Sequence, residues 1–238
     1  MAYAMRGKPE SLASQPIIPV LPQGPVYCID VECAATGTGH NDREMIQIGL
    51  VDSNETVLCN LYVTPDKAVV SYLTPLTGIN AELIAQYGMP KVQALAALKA
   101  CLPPNAIIVG QNISTDIKWL ELQEGRDFGS LVDLVGLFRT WNERYKSFSY
   151  FGLEHEVSML LGINDAGQAH NAVTDAIKSM RLFNLYLSLQ ADPASMEAVR
   201  RKLLSQQPAP SFARLNPTFE GVCMGNRKTC QCGSPFFS

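Results

Sequence analysis

Four acids and one histidine carry the chemistry legible in this chain of 238 residues: Asp30 and Glu32, Asp116, Asp175, and His170. They fall in three ordered blocks, Ile29-Asp30-Val31-Glu32, Asn112-Ile113-Ser114-Thr115-Asp116 and His170-Asn171-Ala172-Val173-Thr174-Asp175-Ala176. Clustered carboxylates repel one another and resist burial unless a cation or hydrogen-bond donors neutralise them. Four acids with a nearby imidazole are the groups that two divalent metals and a general base require. An all-oxygen set suits magnesium or manganese better than zinc.

The elements that must position these residues can be read from local pattern. The run 25–29 before Asp30 is apolar and suits a strand, in which Asp30 and Glu32 share one face while Ile29 and Val31 take the other. Ala106-Ile107-Ile108-Val109 reads as a buried strand, after which Ser114 caps a helix with Asp116 in its first turn. Val173, Ala176, Ile177, Met180, Phe183 and Leu187 form the apolar stripe of a longer helix that begins just after His170. Taken singly, each block has a plainer reading: a solvated strand face, an acid complementing a helix dipole, a capping histidine. The ordered conjunction favours chemistry.

Strands are expected over 26–31, 45–51, 56–63, 106–109 and 131–135, and helices over 80–87, 91–102, 114 onward, 151–161, 171–189 and 195–204. Three strands followed by alternating strand and helix is an α/β order. Residues 1–24 read as an N-terminal arm, 25–206 as the catalytic domain, and 207–238 as an aperiodic C-terminal extension. From Glu197 onward there are six Lys or Arg against two Glu, although the whole chain carries a net charge of −3. Such a basic extension could attract a phosphate backbone or be an ordinary solvated tail.

The three blocks resemble the motifs of the DEDDh 3′-to-5′ exonucleases, the DnaQ-like group with a ribonuclease-H-like fold. Asp30-Val31-Glu32 is followed by Thr36-Gly37 after extra residues, Asn112 to Asp116 matches the second motif, and His170 to Ala176 the third. Leu76-Thr77-Gly78-Ile79 resembles a fourth family segment. The resemblance spans roughly 27–189 and implies a mixed sheet flanked by helices. It also implies two Mg2+ or Mn2+ ions on Asp30, Glu32, Asp116 and Asp175, with His170 as general base. By the same likeness, Ala34, Ala35, Leu76, Thr77 and Asn112 would hold the terminal nucleotide and Ile79 would stack or wedge against it. Phe148, Tyr150 and Phe151 are further stacking candidates or core. The stretch from Gly152 to His170 is most similar to the eukaryotic RNA-trimming branch, so RNA is the expected partner ahead of DNA. A 3′-to-5′ DNA exonuclease, or a nucleic-acid or protein-binding module with little catalysis, are the alternatives.

No stretch has the length and apolarity of a membrane span, which predicts no membrane partner and an intracellular protein, cytoplasmic or nuclear. The seven cysteines show no regular pairing, as suits reduced thiols or metal binding. Cys223, Cys230 and Cys232 lie within ten residues and could bind one structural Zn2+, with Cys33 the preferred fourth ligand and His40 or Cys59 the alternatives.

Overall fold

The computed structural model describes residues 23–165, 167–226 and 228–232. Apart from Gln23 and Gly24, the expected arm over 1–24 lies outside these residues, as does Arg227.

Three strands open the fold, β1 (Val26–Ala35), β2 (Arg43–Asp52) and β3 (Val57–Thr64), paired antiparallel. A short helix α1 (Thr74–Thr77), helix α2 (Ala81–Tyr87), strand β4 (Gly88–Pro90) and helix α3 (Lys91–Cys101) follow. Then come β5 (Ile107–Gly110), α4 (Ser114–Trp119), β6 (Ser130–Asp133) and α5 (Leu134–Phe138). A small hairpin, β7 (Thr140–Asn142) with β8 (Ser147–Ser149), precedes α6 (Leu153–Glu156), which widens into a π-helical turn over Val157–Leu161. Helices α7 (Ala172–Leu189) and α8 (Pro193–Ser205) complete the body.

The main sheet runs β4-β3-β2-β1-β5-β6, with β5 parallel to both β1 and β6, so β1 is an interior strand. This is the expected mixed sheet flanked by helices, a ribonuclease-H-like arrangement. Period-two alternation along β1 divides its side chains between two cores. Cys28 joins Val109, Ala176, Met180 and Phe183 on the α7 side, whereas Ile29 and Val31 join Ile48, Leu98 and Ile108 on the α3 side. Asp30 and Glu32 therefore emerge on the face that α7 covers.

The strand expected over 131–135 ends at Asp133, because the Asp133 carboxylate accepts the Val135 N–H and caps α5. The helix expected over 151–161 is two pieces, the second a π turn ending at Gly162 in the left-handed region (φ 71°). The extension is folded over part of its length, contrary to the aperiodic reading. It forms α9 (Phe212–Leu215) and a hairpin of β9 (Thr218–Phe219) and β10 (Val222–Cys223). Ser211 caps α9, the Phe212 and Phe219 rings meet edge to face at 5.4 Å, and Val222 is fully buried. Elements of two to four residues are too short to display periodicity, which hid them in the sequence.

Candidate active site

The strand register explains how the acids are assembled. Gly49 lies opposite Asp30 and Gln47 opposite Glu32 on β2. With no side chain at Gly49, the first turn of α7 settles directly on the sheet; a Cβ there would come within 2.4 Å of the Ala172 carbonyl carbon and oxygen. Gln47 is completely buried, accepts the Ala172 N–H (3.1 Å) and donates to Asn60 Oδ1 (2.9 Å). Asn171 caps α7 by accepting the Val173 N–H. The two residues facing the β1 acids thus hold the helix start that brings Asp175 over them.

Glu32, His170 and Asp175 each offer a ligand atom within 4.8 Å of the others. Asp116 is buried in the first turn of α4, and a backbone hydrogen bond from Val31 ties its carboxylate to β1. The structure therefore brings all five sequence-predicted groups into one place. Burial pushes the Asp30 carboxyl up, and the charges of Asp116, Glu32 and Asp175 push it further. Burial raises Glu32 to about 8, despite the opposing pull of His170, and Asp116 to about 7. Burial alone would raise Asp175 too, but hydrogen bonds from His170 and Lys178 outweigh it and hold Asp175 below the usual carboxylate range. Without a cation this cluster resists full ionisation, as expected of a donor set shaped for positive charge.

His170 is fixed at three points. Its backbone N–H donates to the Leu76 carbonyl (2.6 Å), Nδ1 lies 3.0 Å from Asp175 Oδ2, and Nε2 lies 3.1 Å from Glu154 Oε1. The Asp175 hydrogen bond, with the further negative charges around it, raises the imidazole to about 9. Three participants were missed in the sequence: Glu154, Lys178 and Asp165. Lys178 Nζ is 2.8 Å from Asp175 Oδ1 and also pairs with Asp165. Its spacing three residues after Asp175 on a helix was a usable signal. Glu154 and Asp165 come from other segments and left none.

The expected nucleotide contacts divide. Leu76 keeps part of its surface open beside His170, and Asn112 is exposed, held in the left-handed region (φ 54°) with its N–H donated to Asp133. Ile79 is only 1% exposed and packs with Ala34, Ile46 and Ile84, so it cannot stack or wedge. Ala34 and Ala35 are fully buried, and both backbone polar groups of Ala35 bond to the Val70–Ser71 segment. The Thr77 hydroxyl donates to the Tyr72 carbonyl and accepts the Ile79 N–H, so it shapes the turn. Phe151 belongs to the core, whereas Phe148 and Tyr150 are exposed.

The expected fourth partner of the tail thiols is also corrected. His40, not Cys33, gathers with Cys223, Cys230 and Cys232. Cys33 sits on β1 just past a bulge, and burial pushes its thiol up to about 12. Cys59 is buried against Cys101 instead.

Sheet order and site define a class, an α/β protein of ribonuclease-H-like fold with carboxylates and a histidine gathered on one sheet face. Residues 27–183 match the RNase_T family model, described as Exonuclease, and the chain belongs to that exonuclease family. Among relatives, it is 26% identical over 156 residues to Small RNA degrading nuclease 3 of Arabidopsis thaliana, covering 65% of this chain and 19% of that protein. It is 24% identical to RNA exonuclease 5 of Bos taurus, covering 90% of this chain and 26% of the relative. This chain thus spans no more than about a quarter of these two proteins. The catalytic unit of Neurospora crassa Pan2, comprising protease and nuclease domains, shares the fold with a TM-score of 0.64 at 16% identity, over 86% of this chain and 34% of that one. The Saccharomyces cerevisiae Pan2 module in complex with AAGGA RNA gives 0.63 at 16% identity, over 76% and 32%. Among the described residues, no helix is long and apolar enough to cross a membrane.

Proposed function

We propose that this chain is a metal-dependent 3′-to-5′ exoribonuclease that releases nucleoside 5′-monophosphates. The observation that carries this reading is the convergence of Asp30, Glu32, Asp116 and Asp175 beside a histidine that Asp175 holds. Relatives named RNA exonuclease and small RNA degrading nuclease support the substrate class, as does the family match.

The four carboxylates fit hard divalent cations, because every donor is an oxygen and their mutual repulsion falls when positive charge is present. They would hold two Mg2+ or Mn2+ ions, which when bound neutralise the scissile phosphate and activate water as a nucleophile. Asp175 fixes the imidazole by accepting from Nδ1, so Nε2, which lies 3.1 Å from Glu154 Oε1, is the nitrogen that would exchange a proton with the attacking water. Positive charge shared by Glu32 and Asp175 would weaken the field that holds the His170 proton, with the Glu154 contact remaining. Leu76, whose carbonyl anchors the His170 backbone, would contact the terminal nucleotide.

A hollow of about 270 Å³ is lined by Arg43, Lys67, Lys91, Lys118 and Trp119 together with Glu44 and Asp66, and Lys67 and Lys91 are ion-paired with Glu44 and Glu121. Lys118 and Trp119 follow Asp116 on α4. The Lys118 cation beside an indole would meet a phosphate and a stackable base. An intracellular setting, cytoplasmic or nuclear, accords with seven cysteines of which none is joined in a disulfide. The catalytic unit would be residues 25–206, with the remainder of the chain appended to it.

Purified protein should degrade end-labelled single-stranded RNA faster than single-stranded DNA of the same sequence, with magnesium or manganese. Faster loss of DNA would transfer the activity to a DNA exonuclease. Tight RNA binding without cleavage under either metal would reduce the chain to a binding module.

A further inference from the structure

Among the described residues, the extension after α8 returns to the body at the loop 36–42 between β1 and β2 and beside it at Arg43 and Ser71. The Cys223 N–H donates to the Thr38 carbonyl (2.8 Å), and the Cys223 carbonyl accepts from Arg43 Nη2 (2.8 Å). Arg43 Nη1 also donates to the Gly39 carbonyl (2.9 Å), so one guanidinium spans loop and hairpin. Nearby, the Ser71 hydroxyl donates to the Glu220 carboxylate, and Ser71 itself pairs with Ala35 at the end of β1. These contacts carry three thiols near the C-terminus to an imidazole in the loop before β2.

We propose that His40, Cys223, Cys230 and Cys232 form a structural zinc site that clamps the C-terminal hairpin onto the β1–β2 loop. One ligand atom from each of the four residues lies within 4.8 Å of all the others. Cys230 Sγ is 3.3 Å from His40 Nδ1 and 3.4 Å from Cys223 Sγ. A tetrahedral zinc site of three sulfurs and one nitrogen, with Zn–S about 2.3 Å and Zn–N about 2.0–2.1 Å, has ligand-to-ligand edges of about 3.6–3.8 Å, so the cluster is already close to binding size. The Gly225 N–H points at Cys223 Sγ (3.4 Å) and the Cys232 N–H at Cys230 Sγ (3.5 Å), contacts that stabilise sulfur as thiolate. Four soft or borderline donors select zinc, whereas the carboxylate cluster selects harder ions. A full set of four protein ligands leaves no open position for substrate, so the role is structural.

Binding here joins residue 40 to residues 223–232 and closes a loop comprising most of the chain. The binding free energy then becomes tertiary stability. Through Arg43 and the Glu220–Ser71–Ala35 contacts, the clamp steadies the end of the strand that carries Asp30 and Glu32. The competing chemistry is a Cys223–Cys230 disulfide, whose S–S bond is about 2.05 Å and which would leave Cys232 and His40 without a shared purpose.

Protein purified under reducing conditions without chelator should contain close to one zinc per chain by elemental analysis. Cys232→Ala and His40→Ala should each reduce that content to near zero. Replacing the zinc with cobalt should give the thiolate-to-metal charge-transfer bands of a tetrahedral site with three thiolates and one imidazole. A zinc-selective chelator, added with magnesium in excess, should lower Tm in the parent protein but not in Cys232→Ala, and far-UV circular dichroism establishes that the variant is folded. Absence of zinc from protein given micromolar zinc salt overturns the proposal. So does a Cys223–Cys230 disulfide in the intact mass, or zinc content unchanged in Cys232→Ala and His40→Ala. None of these outcomes depends on nuclease activity.

Discussion

Asp30→Asn should abolish nucleotide release while leaving the protein folded and, in chelator, raising its Tm. Asp30 is the acid on which Glu32, Asp116 and Asp175 all act, so its loss would disturb the holding of both proposed cations. Asparagine keeps the volume and removes the charge. With no cation bound, ionising Asp30 is opposed first by burial and then by the neighbouring acids, and removing about 1 kcal/mol of that penalty would raise Tm by roughly 2–4 °C in a chain of this size. Differential scanning fluorimetry with and without magnesium reads both effects: the variant should start higher in chelator and gain less from the ion. A variant that keeps wild-type turnover would remove Asp30 from the catalytic machinery.

His170→Ala should lower turnover roughly 10²–10⁴-fold at saturating metal, the usual worth of a positioned general base. The four acids are untouched, so the cation dependence of the residual rate should stay near that of the parent. Loss of cation affinity with an unchanged rate at saturating metal would instead make the imidazole a ligand, a role its proximity to Glu32 and Asp175 would permit.

The four acids and His170 were legible because each lies on or just before an element whose identity follows from local pattern: alternation along β1, a first-turn dipole position on α4, and the apolar stripe of α7. The expected Ser114 cap is not formed, since Ser114 is the first residue of α4 and Ile113 precedes it without a side-chain cap. What places them together was not legible. Gly49 reads as an ordinary glycine in a strand, and only the register opposite Asp30 shows that its missing side chain lets α7 sit down. Glu154 reaches His170 from a helix whose sequence carries no sign of that contact. The nucleotide contacts taken from family resemblance failed at Ile79 because motif position says nothing about burial. That residue plugs a small core with Ala34 and Ile46. Cys33 looked like the natural partner of the tail thiols from its place beside the acids, but the bulge after Glu32 and the turn of the loop bring His40 there instead.

The polarity and metal requirement of cleavage test the central claim most directly. Two single-stranded RNAs of one sequence, one blocked at the 3′ end and one at the 5′ end, are incubated with magnesium and with chelator, and the products are resolved chromatographically. The expected result is nucleoside 5′-monophosphates from the 5′-blocked RNA with magnesium, nothing from the 3′-blocked RNA, and nothing from either in chelator. Equal degradation of both RNAs, or degradation that persists in chelator, would contradict it.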